Sequence, residues 1–136
     1  MNALELIKKV ESEAKVKAKP DPVVYGTLAV GDVHRQGDVY ITRLDAVPAN
    51  AAKAKKEAQL APGTTQGSRH MVNSEHMQHC EFFALRQPTP LQGPIIKIRK
   101  PVEIQHPEHG HVTLPPGVYG ITYQRQLAQE LKRVAD

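Results

Sequence analysis

The chain has 136 residues, of which 40% are apolar, with a single cysteine and a formal net charge of +4. This length fits one domain with one modest core, and one cysteine excludes an internal disulfide framework. A mean hydropathy of -0.46 and a charged N-terminal stretch predict neither a membrane span nor a secretory signal, which favours a soluble, cytoplasm-type protein.

The first elements, over residues 1–22, are a helical arm and a proline hinge. Asn2 can cap the helix with Glu5 three residues later, and Pro20 and Pro22 end it. The apolar stripe of this helix is too narrow to organise a core, so the helix needs a neighbour to lie against. The predicted partner-binding residues are Leu4, Ile7, Val10, Lys8 and Lys15.

Residues 23–136 are predicted to form a single β-rich domain. Apolar alternation and turn residues predict strands over 23–30, 38–44, 79–85, 95–104, 112–114 and 118–123. We expect a turn over 31–37, a short helix or a solvated loop over 49–60, and a short C-terminal helix carrying Leu127, Leu131 and Val134.

The fold prediction follows from this order of elements. Eleven prolines and nine glycines imply many turns and short strands. The expected fold is mainly β, a β-sandwich or a jelly-roll-like barrel with one helix at each end of the chain. The residues expected in its core are Ile41, Phe82, Ile96, Ile98, Val118 and Ile121.

Seven histidines are the most conspicuous candidates for chemistry. Neutral imidazole is a common zinc ligand, so an alternative interpretation is a metal site built from His70, His106, His109 and His111. Their spacing matches no helical zinc motif, and histidines in Pro/Gly turns commonly cap backbone groups or face solvent. We therefore predict no metal ligand and no cofactor, and we expect Cys80 to be a buried structural cysteine.

Motifs for catalysis and for phosphate binding are absent from the sequence. There is no G-x-S-x-G elbow and no G-x-x-x-x-G-K-[ST] loop, and the carboxylates are scattered. The sequence therefore does not predict an enzyme. A basic stretch around Lys53, Lys55 and Lys56 leaves nucleic-acid binding as a further alternative, which the shortage of aromatic residues disfavours.

Several short motifs occur in a recognisable order. They are R-Q-G-D-V-Y at 35–40, G-S-R-H at 67–70, H-P-E-H-G at 106–110, L-P-P-G-V-Y at 114–119 and Q-R at 124–125. This order, over residues 35–126, resembles a group of small β-rich proteins of tailed phages, plasmids and bacteria. The group's middle motif is usually G-H-x-H, whereas Ser68 stands here in place of its first histidine. The resemblance therefore implies that this chain has lost part of any metal site.

The functional prediction combines the resemblance with the N-terminal arm. We expect a structural protein: a phage capsid cement or decoration subunit, found in the virion capsid and assembled in the host cytoplasm. Its expected partners are the major capsid protein and neighbouring copies of itself, with no membrane and no nucleic acid. The link between fold and function is an analogy. The alternatives are a zinc-binding protein or enzyme using the clustered histidines, and a basic nucleic-acid-binding module.

Overall fold

The structure, a computed structural model, describes residues 20–124. This range is mainly β, as predicted. Its strands are β1 Val23–Val24, β2 Val33–Gln36, β3 Val39–Leu44, β4 Ala51–Ala54, β5 Met71–Val72, β6 Cys80–Leu85, β7 Gln92–Ile98, β8 Val102–Gln105, β9 Val112–Leu114 and β10 Gly117–Tyr123. Two short 3₁₀ helices span Gln66–Ser68 and Ser74–His79.

The strands form two sheets packed together, as in a β-sandwich. The smaller sheet has four strands in the order β1-β9-β8-β5, and the larger has six in the order β2-β3-β10-β7-β6-β4. All neighbours are antiparallel except β1 and β9, which run parallel. Within residues 20–124 both sheets are open, so the barrel alternative is not the arrangement of this range.

The core lies between the two sheets and follows the alternation of the strands. Along β8, Val102 and Ile104 are fully buried, whereas the residues between and after them are half-buried. The six predicted core residues are all buried, which confirms the prediction of the core: Ile41, Phe82, Ile96, Ile98, Val118 and Ile121.

The prediction of a turn over residues 31–37 was wrong for most of that range. Val33–Gln36 forms the edge strand β2, which pairs antiparallel with β3. Turns lie only at the two ends of the range, at Val30–Gly31 and Gly37–Asp38, where Gly31 and Gly37 adopt φ angles of 94° and 56°. Because β2 reads Val-His-Arg-Gln, it lacks the apolar alternation from which a strand is recognised.

Two further predictions were corrected by strand pairing. The expected helix or loop over 49–60 contains strand β4, which pairs with β6, so sheet pairing overrides the helix propensity of its alanines. The expected single strand over 95–104 is two strands in different sheets. Ile98 pairs with Gly117 in the larger sheet, whereas Val102 pairs with Leu114 in the smaller one.

The predicted helices at both ends of the chain lie outside the described residues. This applies to the arm residues Leu4, Ile7, Val10, Lys8 and Lys15, and to the C-terminal stripe of Leu127, Leu131 and Val134. Within the described range, no helix has the length and apolar character needed to cross a membrane.

Candidate functional site

Three motif segments that are far apart in the sequence meet where the two sheets come together. Gln36 ends β2 of the larger sheet, His70 lies just before β5, and His106 begins the loop between β8 and β9. His109 belongs to the same loop. We refer to Gln36, His70, His106 and His109 as the imidazole cluster.

Gln36 is the polar centre of the cluster and is 1% exposed. Its Nε2 donates to the carbonyl oxygens of Ile104, at 3.1 Å, and Gly110, at 2.8 Å. Because both N–H groups face carbonyl oxygens, its Oε1 must be the atom that accepts from His70 Nδ1 at 2.8 Å. One buried amide thereby connects β2 of the larger sheet to β8 and to two loops of the smaller sheet.

The hydrogen bond from Gln36 also fixes the tautomer of His70. With the proton on Nδ1, the neutral ring carries a lone pair on Nε2. His70 is fully buried, and its Nε2 has no hydrogen-bond partner. A buried imidazole held in this way resembles a metal ligand or a general base in its local chemistry. Its Nε2 is the buried nitrogen of the cluster whose lone pair has no hydrogen-bond partner.

His106 has the opposite tautomer, and both of its ring nitrogens are occupied. Its Nδ1 accepts from the backbone N–H groups of Glu108, at 3.0 Å, and His109, at 3.1 Å. Its Nε2 donates to the carbonyl oxygen of Gly67 at 3.2 Å. The ring therefore folds the 106–110 loop back on itself, as an Asx turn does with an oxygen atom.

The three rings of the cluster form a column from the interior to the surface. The ring centroids of His70 and His106 are 4.3 Å apart, and those of His106 and His109 are 4.5 Å apart. His109 is exposed, and its ring lies over Gly37, where an added Cβ would come within 2.3 Å of His109 Cδ2. Glycine at position 37 therefore provides both the turn and the room for this ring.

Burial makes the inner histidines hard to protonate. It lowers the pKa of His70 to about 3, assisted by the charges of His106 and His109 and opposed by the carbonyl of Gly67. The pKa of His106 is also lowered, again chiefly by burial. Both rings are therefore neutral at physiological pH.

The four candidate metal ligands are only partly brought together. His70, His106 and His109 share the column, whereas His111 precedes β9 and acts electrostatically on Glu103, together with His76. His76 Nδ1 accepts from the backbone N–H of Glu103, so that ring also has a structural partner. Among residues 20–124, no group of three or more His, Cys, Asp or Glu side chains is arranged to hold a metal ion.

Cys80 has the structural role expected of it. It is fully buried, and its thiol donates to the carbonyl oxygen of His76 at 3.6 Å. Burial raises the pKa of this thiol, although Lys56 and Arg99 partly oppose the shift. A protonated, buried thiol is a poor nucleophile.

One cavity in the described range has no histidine in its lining. It measures about 530 Å³, and its apolar lining includes Leu60, Pro62, Leu85 and Tyr123. Tyr123 lines this cavity, and its hydroxyl donates to the Leu60 carbonyl at 2.9 Å. Glu57 is the one carboxylate among the residues that line this cavity, so we place the candidate chemistry at the imidazole cluster instead.

Sequence reasoning missed Gln36, although the histidines around it were considered. A lone glutamine in an edge strand carries no periodic signal, and the group to which it donates, Gly110 O, lies 74 residues away. Its position inside R-Q-G-D-V-Y was the only available indication.

Comparisons with known proteins identify a family for most of the chain. A family model described as Domain of unknown function (DUF8820) matches residues 35–124, a range that contains Gln36, His70, His106 and His109. Neither a curated protein nor a solved structure gives a significant match. Because the family model covers well over half of its length, this chain belongs to the DUF8820 family.

Proposed function

We propose that this protein is a structural subunit that binds other proteins, and specifically a cement or decoration protein of a tailed-phage capsid. Its partners in this proposal are the major capsid protein and neighbouring copies of itself, in the virion. The resemblance of the motif order to phage-associated proteins suggests the shell, and the surface of the β domain supports a binding role.

The observation that carries the proposal is an apolar border formed by two neighbouring open edges. β1 is an edge of the smaller sheet and β2 is an edge of the larger one. Tyr25 joins them, because its hydroxyl lies 2.7 Å from His34 Nδ1. Four valines on this border remain 38% to 73% exposed: Val23, Val24, Val30 and Val33.

Open edges and grouped apolar side chains are usually protected in a monomer. Proteins shield such edges with charges, prolines or covering segments, and an uncovered apolar group commonly marks an interface. The predicted arm over residues 1–22 runs directly into β1. An arm and an apolar border at the same place suit attachment across neighbouring shell subunits.

The imidazole cluster is consistent with a structural role. Gln36 and His106 use all the hydrogen-bonding groups of their side chains within the chain. Groups committed in this way connect loops and are not free to bind a substrate. We also propose that the sandwich is of the jelly-roll type. The parallel β1–β9 pair departs from an all-antiparallel arrangement.

Sedimentation of the native assembly tests the proposal. The tagged full-length chain should co-sediment with virion-sized particles from its source, and the double variant V24K/V33K should sediment as a small protein. A matched variant, Q87K, adds charge at an exposed turn residue away from the border and should behave like the wild type. Sedimentation of the wild-type protein only as a small species would overturn the proposal.

A metal-binding role is the second candidate, and one observation favours it. The buried Nε2 of His70 has no hydrogen-bond partner, so its lone pair could coordinate a metal ion. The net charge of +4 favours nucleic-acid binding, but we assign no cluster of residues within 20–124 as a site for it.

A further inference from the structure

The 106–110 loop is closed by hydrogen bonds that require a neutral His106. Nδ1 of this ring accepts two backbone N–H groups, those of Glu108 and His109. Only the ring protonated at Nε2 alone can accept at Nδ1 while it donates to the carbonyl of Gly67. A second proton must go to Nδ1. The protonated nitrogen can no longer accept, so both hydrogen bonds from the backbone N–H groups are lost.

The segment between β8 and β9 also contacts the start of β1, the first strand in the described range. The carbonyl of His111 accepts from the backbone N–H of Val23 at 3.0 Å, which begins the pairing of β1 with β9. Gly110 packs so closely against the residues before β1 that an added Cβ would lie 3.0 Å from the carbonyl oxygen of Pro20. The end of the loop is therefore in direct contact with the residues that begin β1.

The charged groups around His106 come from three segments. His109 and Glu108 lie in its own loop, His70 in the segment before β5, and Asp38 in the turn between β2 and β3. Burial lowers the pKa of His106, the Gly67 carbonyl opposes this, the charge of His109 lowers the pKa further, and Glu108 and Asp38 raise it. The closed state therefore prevails at neutral pH and is sensitive to acid.

We propose that the 106–110 loop is an acid-operated latch on β1. Neutral His106 keeps the loop folded and β1 paired with β9, and protonation at Nδ1 opens the loop and releases β1. The consequence, weaker partner attachment at acid pH, rests on the proposed function of the β1–β2 border. The latch itself is a property of the free protein, so it can be tested without any partner.

Amide exchange measured by NMR on the free full-length chain tests the latch. Protection factors of the Glu108, His109 and Val23 amides should fall by up to about tenfold per pH unit as the pH drops from 6.5, the ordinary histidine pKa expected in the open loop, toward the lowered pKa of His106 in the closed loop, because opening takes up one proton only in that range. The core amides of Ile96 and Ile121 are internal references, and they should keep their protection over the same pH range.

A substitution at position 106 provides the matched control. In H106N the Asn side-chain oxygen can accept the same two backbone N–H groups, but it does not titrate. This variant should keep its loop and Val23 protection at acid pH, whereas H79Q, at a histidine outside the cluster, should behave like the wild type. If H106N does not fold, the ¹⁵N shifts of the wild-type His106 ring should show Nδ1 protonation at the pH where protection is lost.

Three results would overturn the latch. They are unchanged loop protection after His106 has titrated, equal loss of protection in H106N, and loss of Ile96 and Ile121 protection together with the loop. Failure to co-sediment with particles would count against the proposed function and leave these measurements unaffected.

Discussion

At the scale of single residues, the central feature is a buried amide that satisfies three groups at once. Gln36 bonds to two carbonyl oxygens and to the Nδ1 of His70. Its removal would strand three buried polar groups, and each stranded group costs about 1–3 kcal/mol because its lost hydration is not replaced.

We expect Q36A to lower the free energy of unfolding by about 3 kcal/mol or more, through the unsatisfied groups it leaves. Urea denaturation at neutral pH measures this. Q87A, which truncates an exposed glutamine, should change stability by less than about 0.5 kcal/mol. If the two variants are equally stable, the hydrogen bonds of Gln36 do not organise the loops.

We also predict that the purified protein carries no stoichiometric zinc. Both nitrogens of His106 have partners in the fold, and Ser68 stands where the resembling group has a histidine. Elemental analysis is the measurement. About one zinc per chain, lost in the H106A/H109A variant, would contradict this and would favour the metal-binding candidate.

At the scale of elements, strand β6 turns one face toward the core and the other toward the outside of the larger sheet. Phe82 is 2% exposed and belongs to the central apolar cluster, whereas the adjacent Phe83 points to the opposite face and is half-buried. Because the two residues are neighbours of the same type, they form a matched pair for testing how the strand is oriented.

F82A should lower the free energy of unfolding by about 3 kcal/mol or more, because it leaves a cavity between the sheets. F83A should lower the free energy of unfolding by clearly less, since that ring is already partly hydrated in the folded protein. Chemical denaturation of both variants tests this. A larger loss for F83A would show that the strand is turned the other way.

The N-terminal arm lies outside the described residues, so its role stays a prediction. Isolated short helices are marginal in water, and surface ion pairs add only about 0.2–0.5 kcal/mol each. Deletion of residues 1–19 should therefore leave the β domain folded by circular dichroism while weakening its co-sedimentation with particles. Unfolding of the truncated domain would make the arm part of the core, and undiminished co-sedimentation would exclude the arm as a clamp.

At the scale of the whole molecule, the buried histidines make stability depend on pH. The pKa of His70 is about 3 in the folded protein, whereas an ordinary histidine, as in the unfolded chain, has a pKa of 6.5. The unfolded chain therefore takes up the proton first on acidification. The pKa values of His34 and His106 are also lowered, both chiefly by burial. The stabilising contribution is complete above pH 6.5 and declines as the pH falls toward 3.

We expect the free energy of unfolding to fall between about pH 6.5 and pH 3 with a slope of up to about 1.4 kcal/mol per pH unit from His70. Urea unfolding at several pH values measures the slope. H70Q should be less stable at neutral pH but should show a shallower dependence. An equal slope in both proteins would mean that another group controls the acid response.

The sequence by itself determined the local features of this protein. Apolar residues in the predicted strands identified core positions such as Ile41 and Ile98, because alternate side chains of a strand point to the same face. The burial of Cys80 followed from residue chemistry in the same way. These are properties of segments a few residues long.

Only the tertiary structure decided which segments are edges and which side chains meet. β2 and β4 carry no apolar alternation, and they are strands because β3 and β6 offer them backbone partners. Gln36 and His70 are 34 residues apart in sequence and 2.8 Å apart in space. Their contact, and with it the nitrogen that His70 leaves without a partner, depends on how the two sheets pack. Long-range hydrogen bonds of this kind follow from strand pairing and leave no local pattern in the chain.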